Sequence, residues 1–315
     1  MGWGVVPGAR SLAPRRNSYG NESPTAASIL PPEPVTYADT LPSYTGHHTA
    51  MISTERPTTL RPPLKWAGGK RWQVPYLRPL WLTHQQRRLV EPFCGGLAVT
   101  LGLLPDRALL NDANPHLINF YRWLQRGLSI RMEMENDETL FYRHRDRFNT
   151  LLTGRSSATR EAASLFYFLN RTGFNGLCRF NRSGEFNVPF GRYAKISYTT
   201  DFSAYRDVFA DWTLTNTDVE AVPLDRGDFV YADPPYDVDF TAYAQGGFSW
   251  EDQERTALHL ARHRGPVVLV NQATPRIETL YRKLGYAVSF LDAPRRISCN
   301  GDRTPAKEIV GTRNL

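Results

Sequence analysis

The chain of 315 residues is long enough to bury a full core, and its 41% hydrophobic and 12% aromatic content excludes a disordered or fibrous protein. A formal net charge of +7 favours an acidic partner, nucleic acid first, because the basic residues stand among aromatic and polar ones in mid-chain; solubility alone would also account for so modest a charge. No apolar run is long enough for a membrane span, and Cys94, Cys178 and Cys299, widely spaced and without a C-x-x-C pair, suit free thiols in a reducing compartment.

Residues 1–59 are rich in Pro, Ser, Thr and Gly and lack periodic apolar positions, which predicts a disordered leader without the apolar stretch of a secretory signal. Arg10, Arg15 and Arg16 leave a transit peptide open, and Met51 is an alternative start. From Leu89 the pattern alternates. Leu89 to Phe93 reads as a strand, then come the Gly95-Gly96 turn and a short helix, a second strand over Ala108 to Leu110 ending in Asn111-Asp112, and a helix over His116 to Leu124. Further strands are expected at Trp212 to Leu214, Phe229 to Ala232, Val267 to Val270, Ala287 to Leu291 and Glu308 to Val310. Helices over Trp250 to His263 and Arg276 to Leu284 separate three of them. Such alternation implies a three-layer α/β fold with a largely parallel sheet. Between about Gly127 and Thr200 the rhythm breaks into helices at Glu138 to Thr150 and Thr159 to Arg171, then a Gly- and Asn-rich segment that reads as a β-hairpin. The predicted organisation is a discontinuous sheet domain, 60–126 and 201–315, interrupted by a mainly helical insertion, 127–200. His259 and His263 lie four apart without a glutamate partner, a spacing expected on a solvated helix face rather than at a metal; no metal site is expected.

The chemistry concentrates at Asp233-Pro234-Pro235-Tyr236. Two prolines end the apolar strand before them, leaving a carboxylate, a free carbonyl and an aromatic ring together. The carboxylate and carbonyl can accept both protons of an exocyclic amine while the base stacks on Tyr236, although Asp before Pro also starts ordinary turns. Phe93-Cys94-Gly95-Gly96 follows the first strand, where glycines admit a ligand close to the backbone. Asp112, at the next strand end, suits a ribose hydroxyl. Upstream, Leu64-Lys65-Trp66-Ala67-Gly68-Gly69-Lys70 puts an aromatic face, two glycines and a cation together, and Lys70 could serve a carboxylate on a cofactor.

K-W-A-G-G-K, F-C-G-G and D-P-P-Y in this order resemble the Dam-type, D12 class adenine-N6 DNA methyltransferases. So do Asn170 to Asn181, Gly184 to Tyr193 and Arg296 to Gly301, and the resemblance spans roughly Leu60 to Leu315. It implies a Rossmann-like methyltransferase sheet using S-adenosylmethionine, contacted by Trp66, Lys70, Phe93, Gly95, Asp112 and Asp233. Asp233, Pro234, Pro235 and Tyr236 would be catalytic, without metal or covalent intermediate. The family's F-x-G-x-G ends here in Leu97, a departure expected to loosen the backbone slightly.

The resemblance further implies double-stranded DNA as substrate, with the target adenine flipped out of the helix. Phe174, where many members have Tyr, or Leu177 could wedge into the vacated position. Arg179 would read a guanine, GATC being the favoured site; Asn175 and Pro189 would contact bases, and Arg192 a phosphate. Surface ion pairing is the plain alternative for both arginines. An N4-cytosine methyltransferase and a catalytically silent DNA-binding protein are the rival functions. The expected setting is bacterial or phage-encoded, in the cytoplasm at the nucleoid.

Overall fold

The computed structural model describes residues 60–154, 156–237, 247–293 and 306–315. The proposed leader, the Arg296 to Gly301 motif and Cys299 lie outside them. In chain order the elements are α1 (Val74–Leu82), β1 (Leu89–Glu91), α2 (Thr100–Leu103), β2 (Ala108–Asn111), α3 (Pro115–Gln125), α4 (Glu138–Thr153), α5 (Arg160–Thr172), α6 (Ser203–Phe209), β3 (Trp212–Thr215), β4 (Phe229–Ala232), α7 (Trp250–Ala261), β5 (Val267–Gln272), α8 (Pro275–Lys283), β6 (Ala287–Ala293) and β7 (Ala306–Arg313). The strands form one sheet in the order β3-β2-β1-β4-β5-β7-β6. The first five are parallel; β7 runs antiparallel to both β5 and β6. The result is the Rossmann-like methyltransferase sheet implied by the sequence.

The central strands are apolar along most of their length and buried at nearly every position, because both faces are covered. Val90, Val230 and Leu269 pack toward Ala257, Leu260 and Ile277 of α7 and α8. Leu89, Phe229, Tyr231 and Val268 pack the other way, onto Val74, Leu77 and Trp81 of α1. Helix starts follow local chemistry. The Asn114 side chain caps α3 by accepting from the His116 and Leu117 amides, with Pro115 in the first turn. Ser249 and Asp252 form a capping box on α7.

The segment 127–200 shares its core with the sheet. Phe120 of α3 stacks on Tyr167 of α5 at 5.7 Å and 6°, and Phe202 meets both rings edge-on. The anticipated hairpin consists of isolated antiparallel bridges, Gly173 with Phe190 and Phe180 with Phe186, rather than continuous strands. Pro189 cannot donate to a ladder, which limits regular pairing there. The His259–His263 expectation needs correcting. His263 lies beyond the end of α7 and its Nε2 bonds to the Asp228 carbonyl at 3.0 Å, while His259 is half-buried rather than solvated. Among the described residues no helix is long and apolar enough to cross a membrane, and no three metal-ligating side chains cluster.

Candidate active site

Strand order reverses between β1 and β4: from β1 the chain proceeds outward to β2 and β3, and β4 returns to the other side. In parallel sheets a crevice opens at such a point beyond the carboxyl ends. A cavity of about 900 Å³ occupies it, lined by Trp66, Lys70, Phe93, Asp112, Asp233 and Tyr236 among others. That volume lies at the upper end of ordinary small-molecule sites, enough for a nucleoside ligand with a second planar group beside it.

The loop 64–70 forms one wall. A Cβ added to Gly95 would lie 2.7 Å from the Trp66 Nε1, and one added to Gly96 would lie 2.7 Å from the Trp66 Cβ. The glycines are therefore required first by the tryptophan that covers them. Leu97 corrects a further expectation: its φ of 60° keeps the left-handed backbone that a glycine would adopt, so the loop is not loosened. An L-residue there costs about 1–2 kcal/mol. The Leu97 side chain is fully buried, worth about 1.5–3 kcal/mol, which offsets the strain.

Asp112 follows β2. Its Oδ2 accepts from the Gly95 amide at 3.0 Å and its Oδ1 from the Asn114 amide at 2.9 Å. Burial raises its pKa and these two amides pull it back. Each oxygen keeps a second lone pair, so the carboxylate can still accept from a ribose. At the end of β3, Asp218 also borders the cavity, held bidentately by Arg255 at 2.7 and 2.8 Å.

At the end of β4, Asp233 keeps 19% side-chain exposure, and its Oδ2 pairs with the Lys70 Nζ at 2.9 Å. Among the described residues its Oδ1 has no hydrogen-bond partner. Burial pushes the Asp233 carboxyl up and Lys70 opposes the shift. The Lys70 ammonium also donates to the Gly68 carbonyl at 2.9 Å and sits 4.4 Å from the centre of the Tyr236 ring. Lys70 thus bonds the D-P-P-Y turn directly, a partner the sequence did not suggest, while still lining the cavity. Burial, with Asp233 and Glu308 nearby, raises the Tyr236 hydroxyl pKa strongly.

Several supporting residues escaped the sequence reading. The Pro235 carbonyl accepts from Gln253 Nε2 at 2.7 Å, and Gln253 in turn accepts from Asn271 Nδ2 at 2.9 Å. Gln73 donates to Glu308 at 2.5 Å and accepts from the Tyr231 hydroxyl at 2.8 Å. Glu91 accepts from the Thr100 hydroxyl at 2.6 Å on the cavity floor, and burial lifts its pKa to about 8. The Glu91-Pro92 strand end was the only available hint of it.

Phe93 meets Phe248 edge-on, with ring centres 5.8 Å apart. In the 170–193 segment, Phe174 is exposed and Asn175 beside it has a φ of 52°. Leu177 is half-buried against the core and lines the cavity, so of the two wedge candidates Phe174 is the one offered to solvent. Exposed Arg179 donates to the Asn187 side chain at 2.8 Å and to its carbonyl at 3.1 Å. The Pro189 carbonyl accepts from the Phe174 amide at 2.9 Å. Arg192 pairs with Glu138 at 3.0 Å with 76% of its side chain exposed, the surface ion pair named as the alternative. Exposed pairs of this kind contribute little and dissociate readily.

Residues 66–293 match the family described as D12 class N6 adenine-specific DNA methyltransferase. The chain belongs to this family. A DNA N-6-adenine-methyltransferase of Escherichia phage P1 is 36% identical over 269 residues, covering 78% of this chain and 34% of that protein. The chain therefore matches about a third of the length of that relative. The retron Ec67 DNA adenine methylase of Escherichia coli is 34% identical over 264 residues, covering 78% of this chain and 89% of that one. The type II methyltransferase M1.LlaDCHI of Lactococcus lactis subsp. cremoris is 34% identical over 246 residues, covering 71% and 85%. The D12 match begins at Trp66 and takes in every candidate cofactor, catalytic and DNA-contact residue named above.

Proposed function

We propose that this D12 methyltransferase transfers a methyl group from S-adenosylmethionine to N6 of a flipped adenine in double-stranded DNA, with GATC the favoured site. One observation carries the reading: Asp233 lines the cavity with one oxygen on Lys70 and the other without a partner among the described residues, an acceptor with capacity to spare.

The residues present fit the donor. Trp66 gives an aromatic wall, Asp112 an acceptor for a ribose diol, and the segment around Asp218 lies beside it, where a base attached to that ribose would extend. When bound, S-adenosylmethionine supplies an electrophilic methyl on a sulfonium centre. The remaining work is positional. An adenine amine is a weak nucleophile because its lone pair is delocalised into the ring. Asp233 and the Pro234 carbonyl would each accept a hydrogen bond from the amino group, which favours a pyramidal nitrogen with its lone pair directed at the methyl. Transfer of the methyl leaves a neutral thioether, and the one proton shed by the methylated nitrogen passes to solvent. Burial raises the Asp233 pKa and Lys70 opposes that rise, favouring the carboxylate form. Gln253 and Asn271 hold the turn rigid through the Pro235 carbonyl.

Flipping the base costs a few kcal/mol, and stacking on Tyr236 recovers about 1–3 kcal/mol. Phe174 would fill the gap, Arg179 would read a guanine with the planar fork it presents beside Asn187, and Asn175 and Pro189 would approach base edges. Arg192 would exchange Glu138 for a phosphate. On this reading 127–200 is the target-recognition part and 60–126 with 201–315 the catalytic part.

The test is to incubate duplexes with and without GATC with methyl-labelled donor and to map the product at single-nucleotide resolution. N6-methyladenine in GATC is expected. Label at cytosine N4, or duplex binding without label, would replace this reading with one of the rivals.

A further inference from the structure

Asn170, near the end of α5 and 2% exposed, belongs to neither half of the site yet bonds to both. Its Oδ1 accepts from the Lys65 amide at 2.9 Å. Its Nδ2 donates to the Lys65 carbonyl at 2.8 Å and to the Gly176 carbonyl at 3.2 Å. Lys65 immediately precedes Trp66, whose ring lies over Gly95 and Gly96. Gly176 closes the turn that carries Phe174 and Asn175.

Lys65 reinforces the same clasp. Its Nζ donates to the Arg171 carbonyl at 3.1 Å and sits 3.8 Å from the centre of the Tyr193 ring. Tyr193 in turn donates to the Gly173 carbonyl at 3.0 Å. Gly176 has a φ of 62°, and a Cβ there would lie 2.3 Å from the Lys65 Cβ. The donor-side loop and the recognition turn are therefore in direct contact, held by one carboxamide whose donor and acceptor ends are both committed to backbone. Chemistry restricts the position: an aspartate would keep the bond from the Lys65 amide but set a second oxygen against two carbonyls.

A buried asparagine that only satisfies stray backbone groups would affect stability and nothing more. Here the three bonds divide between segments 105 and 6 residues away, one carrying the cofactor candidates and the other the base-contact candidates. We infer that Asn170 is a positioning residue coupling the 64–70 loop to the 173–177 turn, so that ligand bound at either site raises affinity at the other. The inference rests on the proposed function for what the two sites bind. Ordering Trp66 over a bound donor fixes Lys65, Lys65 fixes Asn170, and Asn170 fixes the turn that must meet the duplex. By linkage the effect is reciprocal.

The test measures affinity for a GATC duplex by fluorescence anisotropy, with and without S-adenosylhomocysteine as an unreactive occupant of the donor site. The parent is expected to bind the duplex about tenfold more tightly when the donor site is filled, within the range usual for coupled sites. Asn170→Asp should bring that ratio to within about twofold of one, while its affinity for S-adenosylhomocysteine without DNA stays within about threefold of the parent. Gly176→Ala, which pushes the turn off Lys65, should do the same and stands in if Asn170→Asp does not fold. A folded variant that keeps the parental ratio, or a parent whose ratio is one, overturns the coupling. A parent that fails to bind either ligand sinks the functional reading beneath it, a separable result.

Discussion

Asp233→Asn changes one oxygen to an amide while keeping the side chain's size, so it isolates the carboxylate charge. In the structure that charge pairs with Lys70 at 2.9 Å and retains an oxygen without a partner among the described residues. Losing a charge-assisted hydrogen bond to the target amine costs about 1.5–3 kcal/mol, or roughly tenfold to 150-fold in rate. The ground state is disturbed less than a broken buried ion pair would suggest, about 3–5 kcal/mol, because Lys70 keeps the Gly68 carbonyl and the Tyr236 ring. The loss should therefore fall on chemistry: a slower single-turnover methylation rate, with duplex affinity close to parental. Because burial raises the Asp233 pKa, the parental rate should climb with pH as the carboxyl ionises, and the Asn variant should lose that limb. A near-parental single-turnover rate, or an unchanged acid limb, would refute the assignment of Asp233 as the amine's acceptor.

Gly96→Ala should displace Trp66, since the added Cβ would come 2.7 Å from it, and weaken donor binding in a DNA-free titration at least tenfold; unchanged affinity would remove Trp66 from the donor site. Glu91 has a folded pKa of about 8 against 4.5 unfolded, so it holds its proton in the folded state. Its effect is to make stability fall as pH rises from about 4.5 to 8, by several kcal/mol in all. Glu91→Gln should flatten that slope and be more stable than the parent at pH 8 in urea titrations, whereas a parallel pH profile would contradict a buried neutral Glu91. Arg179→Ala should cost about 1–3 kcal/mol at one base pair and relax preference there alone. Arg192→Ala should instead weaken all duplexes equally and reduce the salt dependence, because its exposed side chain is suited to a phosphate. Competition among singly substituted duplexes at two salt concentrations separates them, and a uniform loss for Arg179→Ala would demote it to a backbone contact.

Much of the fold and of the candidate site could be read from neighbours in the chain. Pro234 and Pro235 had to end β4, so Asp233 had to stand at a strand terminus. The apolar runs at Leu89, Ala108, Phe229 and Val267 marked buried parallel strands, and Asp112 followed from the end of β2. Pro75 in its first turn and buried Val74, Leu77 and Trp81 at helical spacing mark α1, yet neither it nor the short α6 stood out from the weak local signal around them. Nor did the sequence say that β7 would slide antiparallel between β5 and β6, which brings Glu308 to Gln73 across 235 positions. Leu97 in a glycine's conformation, Trp66 over Gly95 and Gly96, and Lys70 bound to Asp233 likewise waited on the tertiary structure. Strand ends, caps and turns are set by torsional limits and hydrogen bonds within a few residues, so they are written locally. Partner choice among distant polar groups and the shift of a buried carboxyl's pKa depend on what packing places beside them, and only the assembled sheet decides that.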